Sequence, residues 1–182
     1  MDDDRQARQS DDQLMASVAA GNRSAFRCLV ERHQKTLWAV ALRYAGNQHD
    51  AADLVQDAFL ALFQKAGRYK PQGRFLSYLL CILVTRAIST RRKQRPTPLE
   101  SPEPLAIQPD GEGSLALAQS RQTIAAKLAQ LPARQRMAIV LRYYEDLSYA
   151  EIAETLAISP KAVERLLHRA RRTLRGIMDR QQ

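Results

Sequence analysis

The sequence is poor in several features that define common classes of protein. Of its 182 residues only seven are glycine and two are cysteine, and aromatic side chains make up 6%. So few glycines and aromatics argue against an all-β sandwich or barrel, which needs many turns. No apolar run approaches the ~18 residues of a membrane-spanning helix, and the acidic start Met1–Asp4 lacks the apolar core of a signal peptide. We therefore expect an all-α cytoplasmic protein.

Residues that could carry out chemistry are also scarce. Cys28 and Cys81 lie among apolar residues without CxxC or Cys/His spacing, which predicts core thiols rather than a disulfide or a zinc site. The three histidines are scattered, and there is neither a glycine-rich phosphate loop nor a nucleophile–base pair. We predict no catalytic residue, no metal site and no cofactor, and we do not expect an enzyme.

What is abundant is positive charge, and it is unevenly distributed. The net charge of +9 indicates an anionic partner, either nucleic acid or a membrane surface. Residues 1–95 carry +7 and residues 114–182 carry +6, whereas residues 96–113 carry −4 and hold five of the eight prolines. That segment predicts an extended linker between two small helical domains, here called the first lobe (1–95) and the second lobe (114–182).

Helical spacing of apolar residues runs through both lobes. In the first lobe it predicts helices from Asp11 to Gly21, from Ser24 to Gly46, from Asp50 to about Ala66, and from Phe75 to about Lys93. In the second lobe it predicts helices from Ser114 to about Gln130 and near 132–145, 148–156 and 160–178.

The strongest motif lies in the second lobe, over residues 147–166. Ser148 can cap a short helix, a tight turn follows at 157–158, and Ser159 caps a second helix with Pro160 in its first turn. This is the layout of a helix-turn-helix, whose second helix is free to enter a major groove of DNA.

The second helix of that motif exposes a row of charged side chains. The early ones are placed to meet base edges, where Arg pairs with guanine and Glu accepts from cytosine, and the later arginines suit phosphates. The predicted DNA-binding set is Lys161, Glu164, Arg165, His168, Arg169, Arg171 and Arg172. The alternative for the arginines taken alone is a solvated cationic helix.

The third predicted helix of the first lobe shows two stripes. One is apolar, and the other, formed by Asp53, Gln56, Asp57 and Leu60, is acidic and mixed. In a lobe of charge +7 the acidic stripe indicates a protein-docking face. A merely solvated face is the alternative that periodicity leaves open.

The fourth predicted helix and the loop before it combine aromatic and basic residues, which suits unstacked single-stranded bases. The helix contributes Phe75, Tyr78, Thr85, Arg86 and Ser89, and the loop contributes Arg68, Tyr69, Lys70 and Arg74. The alternative is that Phe75 and Tyr78 are core aromatics with polar tips.

The pattern as a whole resembles the extracytoplasmic-function (ECF) group of bacterial RNA polymerase sigma factors. Each matching segment is short, but their order and spacing around an acidic linker is specific. The matching segments are 21–29, 41–46, 50–60, 75–79, 131–136, 151–153 and 163–171.

The resemblance implies a role for each surface. The helix over 50–66 is expected to dock on the clamp helices of the largest polymerase subunit through Asp53, Leu54, Gln56, Asp57 and Leu60. Loop 67–74 and the exposed face of helix 75–93 are expected to melt and read the −10 element. The second lobe is expected to sit on the polymerase flap and to place Glu164, Arg165 and His168 over the −35 element, and the linker to pass towards the RNA exit path.

Two further expectations follow from the resemblance. Similar proteins commonly carry Trp, Asn and Asp where this chain has Tyr78, Thr85 and Ser89, so a −10 sequence preference does not carry over. We also expect an anti-sigma protein or transcriptional control to restrain such a factor. The competing hypothesis is a stand-alone helix-turn-helix repressor or activator whose first lobe senses a ligand or dimerises.

Overall fold

The computed structural model describes residues 9–93 and 123–180, and within these ranges the chain is helical apart from short turns, with no strand. The first lobe contains α1 (Asp11–Ala19), α2 (Arg23–Ala45), α3 (Gln48–Gln64), a 3₁₀ turn (Ala66–Arg68) and α4 (Phe75–Lys93). The second lobe contains helical residues 123–129, called α5, and then α6 (Ala133–Tyr143), α7 (Tyr149–Leu156) and α8 (Pro160–Asp179). The all-α prediction is confirmed.

Two helices begin earlier than the sequence pattern predicted, because each is capped by an asparagine. Asn22 Oδ1 accepts from the backbone amides of Ser24 and Ala25, at 2.9 and 3.1 Å, so α2 does not begin at Ser24. Asn47 Oδ1 likewise accepts from the amide of Asp50 at 2.8 Å, which places Asp50 in the first turn of α3 rather than at its cap. Asparagine is as good an N-cap residue as serine or aspartate. The polar residue that comes first in the chain therefore becomes the N-cap.

The core of the first lobe is formed where α1, α3 and α4 pack around α2. Its most buried large side chains are Leu14, Met15, Leu29, Leu37, Leu62, Leu79, Leu80 and Leu83. Leu76, which shares the apolar spacing of α4, is instead 36% exposed. Cys28 and Cys81 are free thiols, and both are half-buried rather than fully in the core.

The second lobe builds its core from the inner faces of α6, α7 and α8. Met137, Leu141, Ile152, Val163 and Leu167 are all almost completely buried. Because α8 packs on both α6 and α7, its apolar stripe is covered and its charged stripe faces outward.

The two lobes pack on each other, with α4 against α7 and α2 against α6. Arg43 Nη1 of α2 donates to Glu145 Oε1 at 2.9 Å, and its guanidinium lies 4.7 Å from the ring centre of Tyr144. The predicted linker 96–113 and the predicted helix start at Ser114 lie outside the described residues. In the part of the chain that the structure describes, no helix is both long and apolar enough to span a membrane.

Candidate functional site

The outer stripe of α3 forms a polar and apolar surface on the first lobe. Asp53, Gln56, Asp57 and Leu60 are exposed, and the side chain of Leu60 is 53% accessible. Leu54, expected on the same surface, is 7% exposed and belongs to the core. Leu54 is buried because it lies on the side of α3 that faces its neighbours within the lobe.

Phe63 extends this surface by one helical turn, although the sequence pattern did not single it out. It is 40% exposed and lies three residues after Leu60, and its ring meets the edge of Phe26 at 5.1 Å between centres. The i, i+3 spacing between Leu60 and Phe63 could have identified Phe63 from the sequence, because residues three apart share a helix face. We call the set Asp53, Gln56, Asp57, Leu60 and Phe63 the docking face.

The loop between α3 and α4 presents cations to solvent. Arg68, Lys70 and Arg74 are exposed, whereas Tyr69 is half-buried. Gly73 has φ of +67°, a left-handed conformation that glycine adopts without steric cost. The loop therefore turns sharply just before α4 begins.

The aromatic residues at the start of α4 lie at different depths. Phe75 is 3% exposed, in contact with the His33 ring at 5.1 Å, so its expected place on the exposed face is wrong. Tyr78 is half-buried and lies 5.0 Å from the ring of Tyr69, which in turn meets Phe75 edge-on at 5.9 Å. Of the two alternatives left open, core packing holds for Phe75, while Tyr69 and Tyr78 reach the surface.

The phenol groups of both tyrosines stay protonated at neutral pH. Burial raises the pKa of Tyr69 strongly, and its hydrogen bond to Asp12 raises it further. Burial also raises the pKa of Tyr78. Both groups can therefore donate hydrogen bonds as neutral phenols.

Further along α4, the remaining predicted residues face solvent. Thr85, Arg86 and Ser89 are exposed, and Thr85 Oγ1 donates back to the carbonyl of Cys81 at 2.8 Å. The Thr85 hydroxyl is thus engaged by its own helix but keeps its acceptor capacity.

The helix-turn-helix of the second lobe is built by local capping. Ser148 and Glu151 form a capping box in which Glu151 Oε2 accepts from the Ser148 amide at 2.8 Å and from its hydroxyl at 2.7 Å. These bonds lower the pKa of Glu151. Ala157, with φ of +52°, ends α7, and Ser159 then caps α8 by accepting from the amide of Ala162 at 3.2 Å.

All seven predicted DNA-binding side chains of α8 are exposed: Lys161, Glu164, Arg165, His168, Arg169, Arg171 and Arg172. The opposite side of the helix is buried through Val163, Leu166, Leu167 and Ala170. Arg165 and Arg169 lie one turn apart, and each Nε donates to the carbonyl four residues earlier at 3.4 Å. The exposed face is thus a continuous cationic stripe with one carboxylate near its start.

The basic loop of the first lobe contacts the helix-turn-helix of the second lobe. Arg74 of the loop forms an ion pair with Glu154 of α7. In this arrangement α7, the first helix of the helix-turn-helix, packs against α4. Sequence periodicity gave no signal for this contact, because it joins residues of different helices that lie far apart in the chain.

Two family models match the chain, one in each lobe. The model described as sigma-70 region 2 matches residues 29–97, and the model described as sigma-70, region 4 matches residues 121–174. The first match contains α3 and α4, and the second contains the helix-turn-helix.

Curated relatives align along most of their own length. The chain is 31% identical to the ECF RNA polymerase sigma factor SigM of Mycobacterium tuberculosis, over 93% of this chain and 85% of that protein. It is also 31% identical to the RNA polymerase sigma factor CarQ of Myxococcus xanthus, over 87% of this chain and 91% of that protein.

Solved structures have a similar fold. CnrH in complex with the cytosolic domain of CnrY superposes with a TM-score of 0.70 at 28% identity, covering 96% of this chain and 100% of that one. The sigma factor RpoE in complex with the anti-sigma factor NepR from Bartonella quintana superposes with a TM-score of 0.67 at 26% identity, covering 85% and 96%.

Proposed function

Because the chain belongs to the ECF group of the sigma-70 family and is therefore a non-enzymatic transcription initiation factor, we propose how its surfaces divide that task. The observation that carries the proposal is the presence of three distinct surfaces on one small chain. They are the docking face of α3, the aromatic and basic surface of the loop and α4, and the cationic stripe of α8. The hypothesis of a stand-alone repressor is not retained, because the first lobe matches sigma-70 region 2.

The docking face is the proposed contact with the clamp helices of the largest polymerase subunit. Asp53, Gln56 and Asp57 supply acceptors, and Leu60 with Phe63 supplies apolar area. A carboxylate pair gains charge-assisted hydrogen bonds to partner cations, while the apolar residues release water on contact. An acidic face in a basic lobe also keeps this surface away from the DNA phosphates.

The loop and α4 are the proposed reader of the −10 element. Arg68, Lys70, Arg74 and Arg86 are placed for phosphates, whereas Tyr69 and Tyr78 offer half-buried aromatic rings near the surface. Base stacking on an aromatic contributes about 1–3 kcal/mol, which offsets the few kcal/mol that unstacking costs. Phe75 acts here only through packing, since it is buried. Thr85 and Ser89 supply hydroxyls at the exposed face of α4.

The second lobe is the proposed reader of the −35 element, seated on the polymerase flap. Lys161, Glu164, Arg165 and His168 lie towards the start of α8, where a recognition helix meets base edges. Arg169, Arg171 and Arg172 follow, at positions suited to the phosphates. Ordered caps at Ser148 and Ser159 hold α7 and α8 in the geometry this requires.

Promoter binding needs the two lobes to separate. The positions that name the −10 and −35 elements lie roughly 25 base pairs apart, which is about 85 Å at a rise of about 3.4 Å per base pair of B-form DNA. Two packed lobes, each with a radius of gyration of about 13 Å or less, do not reach both elements at once. The 96–113 segment can span at most about 60 Å and allows the separation. We propose that binding to polymerase replaces the contacts between lobes.

An anti-sigma protein is the proposed inhibitor, and the cytoplasm the proposed location. The structurally similar RpoE of Bartonella quintana is described in complex with an anti-sigma factor. A protein that masks the docking face or holds the lobes together would keep this chain from polymerase.

Reconstituted transcription tests the proposal. Core polymerase is assayed for run-off product with and without the chain, on the region upstream of the chain's own gene and on a promoter library. Promoter-dependent product only in the presence of the chain is the expected result. A gel shift on free DNA is the companion assay, and tight operator binding without polymerase would contradict a sigma-type mechanism.

A further inference from the structure

Two neighbouring aspartates at the start of α1 connect three separate parts of the first lobe. Ser10 caps α1, and its side chain accepts from the amide of Gln13 at 3.3 Å, so the first turn is well ordered. Asp11 accepts from Arg32 Nη1 at 2.5 Å and meets His33 Nε2 at 2.9 Å, which ties α1 to α2. Asp12, the next residue, faces the loop before α4.

The carboxylate of Asp12 holds that loop at two points. Its Oδ1 accepts from the phenol of Tyr69 at 2.5 Å, and its Oδ2 accepts from the backbone amide of Gly73 at 2.8 Å. The two donors lie on either side of Lys70, so both ends of this short loop are bonded to one side chain. Asp12 is half-buried, which strengthens both bonds relative to bulk water.

The two bonds also set the position of the aromatic residues. With its hydroxyl held by Asp12, the ring of Tyr69 lies against Phe75 at 5.9 Å and against Tyr78 at 5.0 Å. The Gly73 bond holds the left-handed turn that leads into α4. Lys70 and Arg74 are thereby presented from a loop of defined shape.

We propose that Asp12 is a positioning residue for reading the −10 element, acting through Tyr69 and Gly73 without touching DNA. The inference rests on the proposed role of loop 67–74. A preorganised loop captures an unstacked base without first losing its own conformational freedom. Loss of the carboxylate leaves the loop cations in place but removes the two bonds that define the loop's shape.

Selection from one DNA library measures this effect with an internal control. The library has randomised −10 and −35 blocks, and heparin-resistant complexes with the reconstituted holoenzyme are isolated and sequenced. The variant Asp12→Ala removes two hydrogen bonds to a charged group, so it is expected to lower enrichment at the −10 block by at least about tenfold and to leave enrichment at the −35 block unchanged. Glu31→Ala, which removes an exposed carboxylate of α2, is the matched control and should behave as wild type.

Two further variants separate positioning from general damage to the fold. Asp12→Asn keeps the shape of the side chain and one acceptor oxygen, so we expect a loss of −10 enrichment that is smaller than in Asp12→Ala. In a double-mutant cycle, Tyr69→Phe and Asp12→Ala should be strongly non-additive at the −10 block, because each removes the same bond. Amide exchange at Gly73 in the free chain should accelerate in Asp12→Ala and not in Glu31→Ala.

The outcomes are distinguishable. Equal −10 enrichment by wild type and Asp12→Ala, or an equal loss at both blocks, would overturn the positioning role while leaving the proposed function intact. Additive effects of the two substitutions would also overturn it. If wild type enriches no −10 sequence, the proposed role of the loop fails, and the positioning role fails with it.

Discussion

Arg136 Nη1 in the second lobe donates a hydrogen bond of 2.6 Å to the backbone carbonyl of Tyr44 in the first lobe. Both side chains are buried, and the guanidinium lies 5.6 Å from the centre of the Tyr44 ring. Arg136 also donates to the carbonyl of Ala129 within its own lobe. One buried cation therefore stabilises the second lobe and joins it to the first.

Substitution of Arg136 is expected to loosen the contact between the lobes. Arg136→Ala removes a charged donor from two carbonyls, which should lower the free energy of unfolding by about 2–3 kcal/mol and decrease energy transfer between dyes placed on the two lobes. Arg134→Ala, on the exposed side of the same helix, is the control. Unchanged energy transfer in Arg136→Ala would show that this residue does not hold the lobes together.

The capping box of α7 predicts a pH-dependent contribution to stability. Ser148→Ala should lower the free energy of unfolding by about 1 kcal/mol at neutral pH, measured by urea denaturation. Because the pKa of Glu151 is lowered in the folded state, its ionised form contributes stability above the unfolded pKa, near 4.5, and this contribution is lost as pH falls through the folded pKa. The difference between wild type and Ser148→Ala should thus shrink on acidification below about pH 4.5. A difference that grows there would contradict the capping geometry.

Base contact by Arg165 predicts a position-specific effect. Arg165→Ala should cost about 1–3 kcal/mol at one position of the −35 element and relax the preference there. Arg172→Ala, at a proposed phosphate position on the same helix, should instead weaken all sequences similarly and reduce the salt dependence of binding. Uniform weakening by Arg165→Ala, measured across single-base variants of the element, would exclude direct readout by this residue.

The docking face and the core beneath it should respond differently to substitution. Asp57→Ala combined with Leu60→Ala should weaken binding to core polymerase by at least about tenfold with little change in melting temperature, because both side chains are exposed. Leu54→Ala should instead lower the free energy of unfolding by about 2–5 kcal/mol, because this side chain is buried. Binding titrations with labelled core polymerase and thermal denaturation separate the two effects. A wild-type affinity of the double variant would place the polymerase contact elsewhere.

Local sequence signals account for most of the helices and for the outward faces of α3 and α8. Helical spacing identifies which residues share a face, and side-chain caps such as Ser148 and Ser159 act within three residues. Spacing cannot say how deep a residue lies once a helix is packed on more than one side. For this reason Phe75, which was considered as a contact for unstacked bases, is buried, whereas Leu76, which shares the apolar spacing of α4, is partly exposed.

By itself the sequence determined the helical class, the acidic stripe of α3 and the helix-turn-helix, because these depend on residues close together in the chain. It also determined the family resemblance, which depends on the order and spacing of short segments along the chain. Only the tertiary structure decided that Asp12 holds the loop before α4 and that Arg136 reaches Tyr44. Each of these bonds joins two residues that lie between 57 and 92 positions apart in the chain. Such pairings arise from how the helices pack, and no local periodicity encodes them.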